Sequence, residues 1–149
     1  LTGFTDAQMP AGSVLQVVSD TDTTSRTTSS STTFITSGCS VTLTPRNSSS
    51  KFLIQASINC DQYADDGRVV ITVYRNSTNI GLSSLNGLAY LHLRGEDGLV
   101  NMPIMTLDSP NTSASITYEV MFRSNTSGAT VALRSDIGTS TLIVSEIGD

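Results

Sequence analysis

Apolar and polar residues alternate in short runs along most of this chain. In the run 51–59, Phe52, Ile54, Ala56 and Ile58 share one parity. Val69, Ile71 and Val73 do so in 68–75, and Ile116, Tyr118, Val120 and Phe122 in 115–123. Val41 and Leu43 repeat the pattern in 40–44. Successive side chains of a strand point to opposite faces, so each run predicts a strand with one face in a core. Further strands are predicted at 13–18, 88–93, 99–107, 130–133 and 140–147, with a short one near 32–36. Pro103 inside 99–107 predicts an edge strand or a bulge there, because proline cannot donate to a ladder. Turn-forming residues fill 45–50, 76–79, 94–98 and 125–128. No stretch carries apolar residues at the helical period. The pattern predicts an all-β fold: an antiparallel β-sandwich, with a closed up-and-down barrel as the alternative.

The pattern also divides the chain. Residues 1–12, with Met9-Pro10 and Gly12 as punctuation, read as a linker from a preceding element, and the chain begins at Leu1 with no Met. Residues 13–149 are expected to form one β-sandwich domain. The stretch 19–33 is almost wholly Ser, Thr and Asp, and predicts either a long polar loop or an exposed edge.

Composition narrows the function classes. Ser and Thr together number 44 of 149 residues, and charged residues are only 14%, so neutral hydroxyls replace charges on the surface. Net charge is −5 with no basic stripe, which argues against nucleic-acid partners. No apolar run approaches the roughly 20 residues of a membrane helix, so no membrane insertion is expected. Chemistry-bearing residues are scarce, with one His, two Cys and no Trp. Asp61, Asp65 and Asp66 do not follow the alternating ligand spacing of a calcium loop. His92 stands on a strand-like stretch with no nucleophile assignable to it. The expectation is a protein that is not an enzyme and holds no metal or cofactor.

Two further readings concern single residues. If the strands around Val41 and Ile54 form a hairpin across 45–50, Val41 faces Ile58 and Leu43 faces Ala56. Cys39 then faces Cys60 on the inward side, within reach of a disulfide; the alternative is two buried thiols acting as small hydrophobes. Tyr63, Asp65, Asp66, Tyr90 and Arg94 are the candidate ligand-binding residues, in or beside predicted loops, and Tyr74 and Arg75 are also of types favoured at interfaces. Asn47, Asn76, Asn111 and Asn125 each begin an Asn-x-Ser/Thr sequence within a turn.

Several segments, taken in order, carry a resemblance. They are Ala7 to Val18 with the Ser/Thr-rich stretch after it, Val41 to Pro45, Ser49 to Ile54, Tyr74 to Gly81, Leu107 to Thr112, Tyr118 to Ser124 and Ser140 to Ile147. Together these resemble a β-sandwich domain of bacteriophage virion proteins, found at the C-terminal end of tail fibres and related appendages. The resemblance implies a jelly-roll-like sandwich, a homotrimer and residence on a virion assembled in the host cytoplasm. It implies other virion proteins as partners, and a host-surface glycan or protein. A capsid decoration or cement protein is the alternative function. No catalytic residue carries over, and Cys39 and Cys60 are not expected of the family.

Overall fold

The computed structural model describes residues 9–62, 67–82, 87–93 and 98–149. Its described residues form two antiparallel sheets packed face to face, with no helix among them. The first sheet contains β1 (Val14–Asp22), β2 (Arg26–Thr28), β4 (Lys51–Gln62), β8 (Gly98–Asp108), β10 (Val131–Leu133) and β11 (Ser140–Ile147). The second contains β3 (Ile35–Leu43), β5 (Val69–Arg75), β6 (Thr78–Asn79), β7 (Ala89–Leu91) and β9 (Ile116–Ser124).

Register simplifies this inventory. β1 pairs β11 and β2 pairs β10, while β11 and β10 both pair the same side of the long β4. β1 and β2 are therefore one interrupted strand, and β10 and β11 another. β6 and β7 likewise share the column beside β5. Each sheet then has four columns: β1/β2, β10/β11, β4, β8 in the first, and β3, β9, β5, β6/β7 in the second. The chain changes sheet at most connections, which is the eight-stranded jelly roll rather than a meander or closed barrel.

The core lies between the sheets. Phe52, Ile54 and Ile58 from β4 meet Ile71 and Val73 from β5, and Tyr118 and Phe122 from β9, all fully buried. Each such side chain contributes roughly 1.5–3 kcal/mol through burial. The Phe52 and Tyr118 rings lie 5.8 Å apart across the sheets. The parity of β4 and β9 is that of a strand with one face in the core, whereas β5 is buried on both parities.

The hairpin expected across 45–50 is not formed. β3 pairs β9, whereas β4 pairs β8, β10 and β11, so the connection is a corner between sheets. Alternation is satisfied equally by either pairing, since both strands keep the same residues inward. Tertiary contacts decide it: the buried Glu146 carboxylate of β11 accepts the backbone N–H groups of Arg46 at 2.8 Å and Asn47 at 3.2 Å. Those bonds anchor the corner to the first sheet.

The stretch 19–33 is partly strand and takes the exposed-edge alternative. β1 runs on to Asp22 and β2 follows, with only 23–25 between them. The short strand expected near 32–36 is the start of β3, which bulges between Thr36 and Ser40. Gly38 makes the bulge possible, at φ 92°; a Cβ there would come within 2.6 Å of the Arg26 guanidinium and the Asp22 carboxylate.

Candidate interaction surfaces

Several polar side chains near the core are engaged in holding the fold. Asp108 at the end of β8 accepts from Arg75 at 2.8 and 2.9 Å and from the Tyr118 hydroxyl at 2.7 Å, joining the two sheets. Burial and then the Asp108 hydrogen bond push the Tyr118 phenol far above its ordinary value, so it stays protonated. Arg75, an interface candidate by residue type, is thus spent inside the molecule. Arg26 bridges Asp22 and the Ser37 carbonyl, 2.8 Å away, closing the gap between β1 and β3. Among the described residues, no three His, Cys, Asp or Glu side chains are grouped to hold a metal.

Cys39 and Cys60 are both buried and unbonded. They descend from different sheets, because the hairpin that would have paired them does not exist. On the first sheet, Cys60 pairs with Leu133, and Leu133 with Arg26. Arg26 is the residue that meets the bulge just before Cys39, so two strand positions separate the thiols laterally. Burial, with the nearby Asp20 and Asp22 charges, pushes the Cys39 thiol up to about 11. Burial alone pushes Cys60 higher still. Both are thiols, not thiolates, at neutral pH, and behave as small hydrophobes.

Of the candidate ligand-binding residues, Tyr63, Asp65, Asp66 and Arg94 lie outside the described residues. Tyr90 is on β7, opposite Val70, and is 40% exposed. With Leu82, Leu88 and Val70 it lines a small hollow of about 150 Å³ on the outer face of the second sheet. Tyr74 is half-buried, 5.9 Å from the Phe34 ring, and Phe34 in turn carries the Arg123 guanidinium 5.1 Å from its centroid. Burial pulls the Arg123 pKa down, yet the group donates to the Ser31 and Ser124 carbonyls at 2.8 and 2.7 Å. The connections before β3, before β5 and after β9 meet at one end of the sandwich, where Ser124 N–H donates to Ser30 and Asn125 N–H to Arg68. All four Asn-x-Ser/Thr asparagines do turn work: Asn47 Oδ1 accepts the Ser49 N–H, Asn76 Oδ1 accepts the Thr117 N–H at positive φ, Asn111 Nδ2 donates to the Ser109 carbonyl, also at positive φ, and Asn125 Oδ1 accepts from Arg123.

One open apolar surface was not anticipated from the alternation. On the outer face of the first sheet, β8 presents Leu99, Pro103, Met105 and Leu107, and β11 presents Ile143. Met105 is 70% exposed. A groove of about 480 Å³ runs between them, lined by Gln55, Ser57, Pro103, Met105, Thr141 and Ile143 among others. A signal existed in the sequence. In 99–107 both parities are apolar, with Val100, Met102 and Ile104 inward and Leu99, Pro103, Met105 and Leu107 outward. That is the composition of a strand covered on both faces. β8 also occupies the edge that Pro103 predicted; no described strand pairs its second side.

No family model matches this chain, and no curated protein does. Solved structures do share its fold. The VP2 subviral particle of infectious bursal disease virus superimposes with a TM-score of 0.50 at 14% identity, over 91% of this chain and 34% of that one. The Gx strain of the same virus gives 0.45 at 14% identity, over 91% of this chain and 33% of that one. The chain therefore spans about a third of the length of these proteins. The likeness is one of fold, a jelly-roll-like sandwich.

Proposed function

We propose that this chain is a structural domain of a bacteriophage virion. The observation that carries the reading is the eight-column jelly roll, with the fold likeness to a virus-particle protein, in a chain whose Glu146, Asp108 and Arg75 are committed to its own scaffold. The domain works by presenting surfaces, not by catalysis. In the preferred form it is the distal domain of a tail fibre or appendage, a homotrimer that contacts a glycan or protein of the host surface. Tyr63, Asp65, Asp66, Tyr90 and Arg94 are the proposed contact residues. Weak sites repeated on one particle bind a surface by avidity.

The fold likeness to a subviral-particle protein favours a second reading, a capsid decoration or cement protein. Antibody raised against this chain and applied to intact virions separates the two in the electron microscope. Label at the tail tip, and decoration of susceptible cells by the labelled domain, is the expected result. Label on heads selects the cement reading, and unlabelled virions refute both.

A further inference from the structure

We propose that the outer face of the first sheet, centred on Met105 and Ile143, is the surface through which copies of this chain associate about a rotation axis. The inference deepens the virion reading above and rests on its self-assembly. Register defines the surface. Val17, Ser145, Leu53 and Leu107 form one row across four strands, followed by Ser19, Ile143, Gln55 and Met105, and then Thr21, Thr141, Ser57 and Pro103. None of these residues is charged. Val17, Leu107 and Ile143 are 57%, 55% and 37% exposed beside the more exposed Met105. Charges appear only beyond the rows: Lys51 faces Asp149 at 3.6 Å at one end, and Asp61 is paired with Arg134 at 3.2 Å at the other.

Charge selects the occupant. The chain carries a net −5, so two copies repel through most of their surfaces. A residue lying on a rotation axis meets its own copy, so a charge at the centre of such an interface meets a like charge and disfavours assembly. A second copy is therefore accommodated best on a face with no charge, and this face is neutral over its three central rows. The face has the extent of a small interface. Four strands by the span from Leu99 to Leu107 cover roughly 19 by 27 Å in plan, about 500 Å² before side-chain relief is added. A standard interface takes about 800 Å² per partner.

The test is light scattering of the 149-residue chain across a dilution series, beside a Met105→Asp/Ile143→Asp variant and a Thr42→Asp control on the outer face of the second sheet. The urea midpoint of each reports folding, and Met105→Asp alone serves if the double variant is destabilised. The expected result is a multimer for the wild type and the control, with the concentration for half-assembly raised roughly thirtyfold or more in the Met105 variants. The proposal is overturned if folded Met105 variants keep the wild-type mass, or if the wild type is a single chain at every concentration. Failure of the virion reading registers separately, as virions that the antibody does not label.

Discussion

On the outer face of the second sheet, Val70 and Thr72 point away from the core and are nonetheless fully buried. The chain covers them itself: the segment around Gly81, Gly87 and Leu88 lies over β5, with Thr72 Oγ1 donating to Asn79 Oδ1 at 2.6 Å and Leu88 N–H to the Ile71 carbonyl. Gly87 sits so close to the Val70 side chain that a Cβ would collide with it. On the first sheet, the outward positions Met105, Leu107 and Ile143 are apolar too, and no described segment of the chain covers them. Both sheets thus carry apolar residues on both parities. One face is covered by its own polypeptide, and the other is bare among the described residues. An exposed apolar patch on an otherwise hydroxyl-rich surface marks an interaction site more surely than its individual residues do.

The largest expected effect tests this difference directly. Val70→Asp places a charge under the covering segment and should destabilise the domain by about 3 kcal/mol or more, read as a lowered urea midpoint. Met105→Asp, the same change at an outward position of the other sheet, should alter monomer stability by less than about 0.5 kcal/mol. Equal losses at the two sites would break the comparison.

Glu146→Gln should come next. The carboxylate accepts the Arg46 and Asn47 N–H groups and the Gln16 amide at 2.5 Å, and an amide can offer only one oxygen to those donors. A loss of about 1–3 kcal/mol is expected in chemical denaturation, since buried partners are left unmade. It would sharpen the comparison by showing that the first sheet spends its polar contacts on its inner face and corner.

A smaller effect concerns the closed edge opposite β8. Partial burial pushes the Asp22 carboxyl up, but the Arg26 hydrogen bond, the Thr24 N–H and the Arg26 charge outweigh it and hold the group below its ordinary 3.8. A lowered native value means that the unfolded chain binds the proton more readily. The stabilisation is therefore present at neutral pH and lost as pH falls from about 3.8 through the lower native value. Arg26→Gln should flatten that acid limb in pH-dependent melting, whereas variants on the β8 face should leave it intact.

The least perturbing measurement is thiol reactivity. Native Cys39 and Cys60 should resist a disulfide-exchange reagent at pH 8, because burial holds both as thiols, and two thiols per chain should react on unfolding. Zero reactive thiols in denaturant without reductant would instead establish a disulfide.

Much of this architecture was legible before any coordinates. Period-two alternation located the inward residues of β4, β5 and β9, and Pro103 marked β8 as an edge. The alternation could not supply partners. Val41 and Ile54 face the core whether their strands are neighbours or lie in opposite sheets, so the apparent hairpin and its Cys39–Cys60 pairing were equally consistent with the pattern and were not what formed. Of the candidate contact residues, Tyr90 proved to be a surface residue. Arg75 proved to be an internal ion-pair partner, because Asp108 is brought to it by a strand 33 positions away.

What the sequence determined by itself is the set of strands and the side of each that avoids water, because hydrophobicity and backbone geometry act within a few residues. Which strand lies beside which, and which outward apolar row is covered, was decided only by tertiary structure. Backbone hydrogen bonds are chemically alike in every strand, so their pairing is chosen by distant contacts such as Glu146 with the 45–50 corner. The cover over Val70 and the bareness of Met105 have the same origin, in where the chain happens to return.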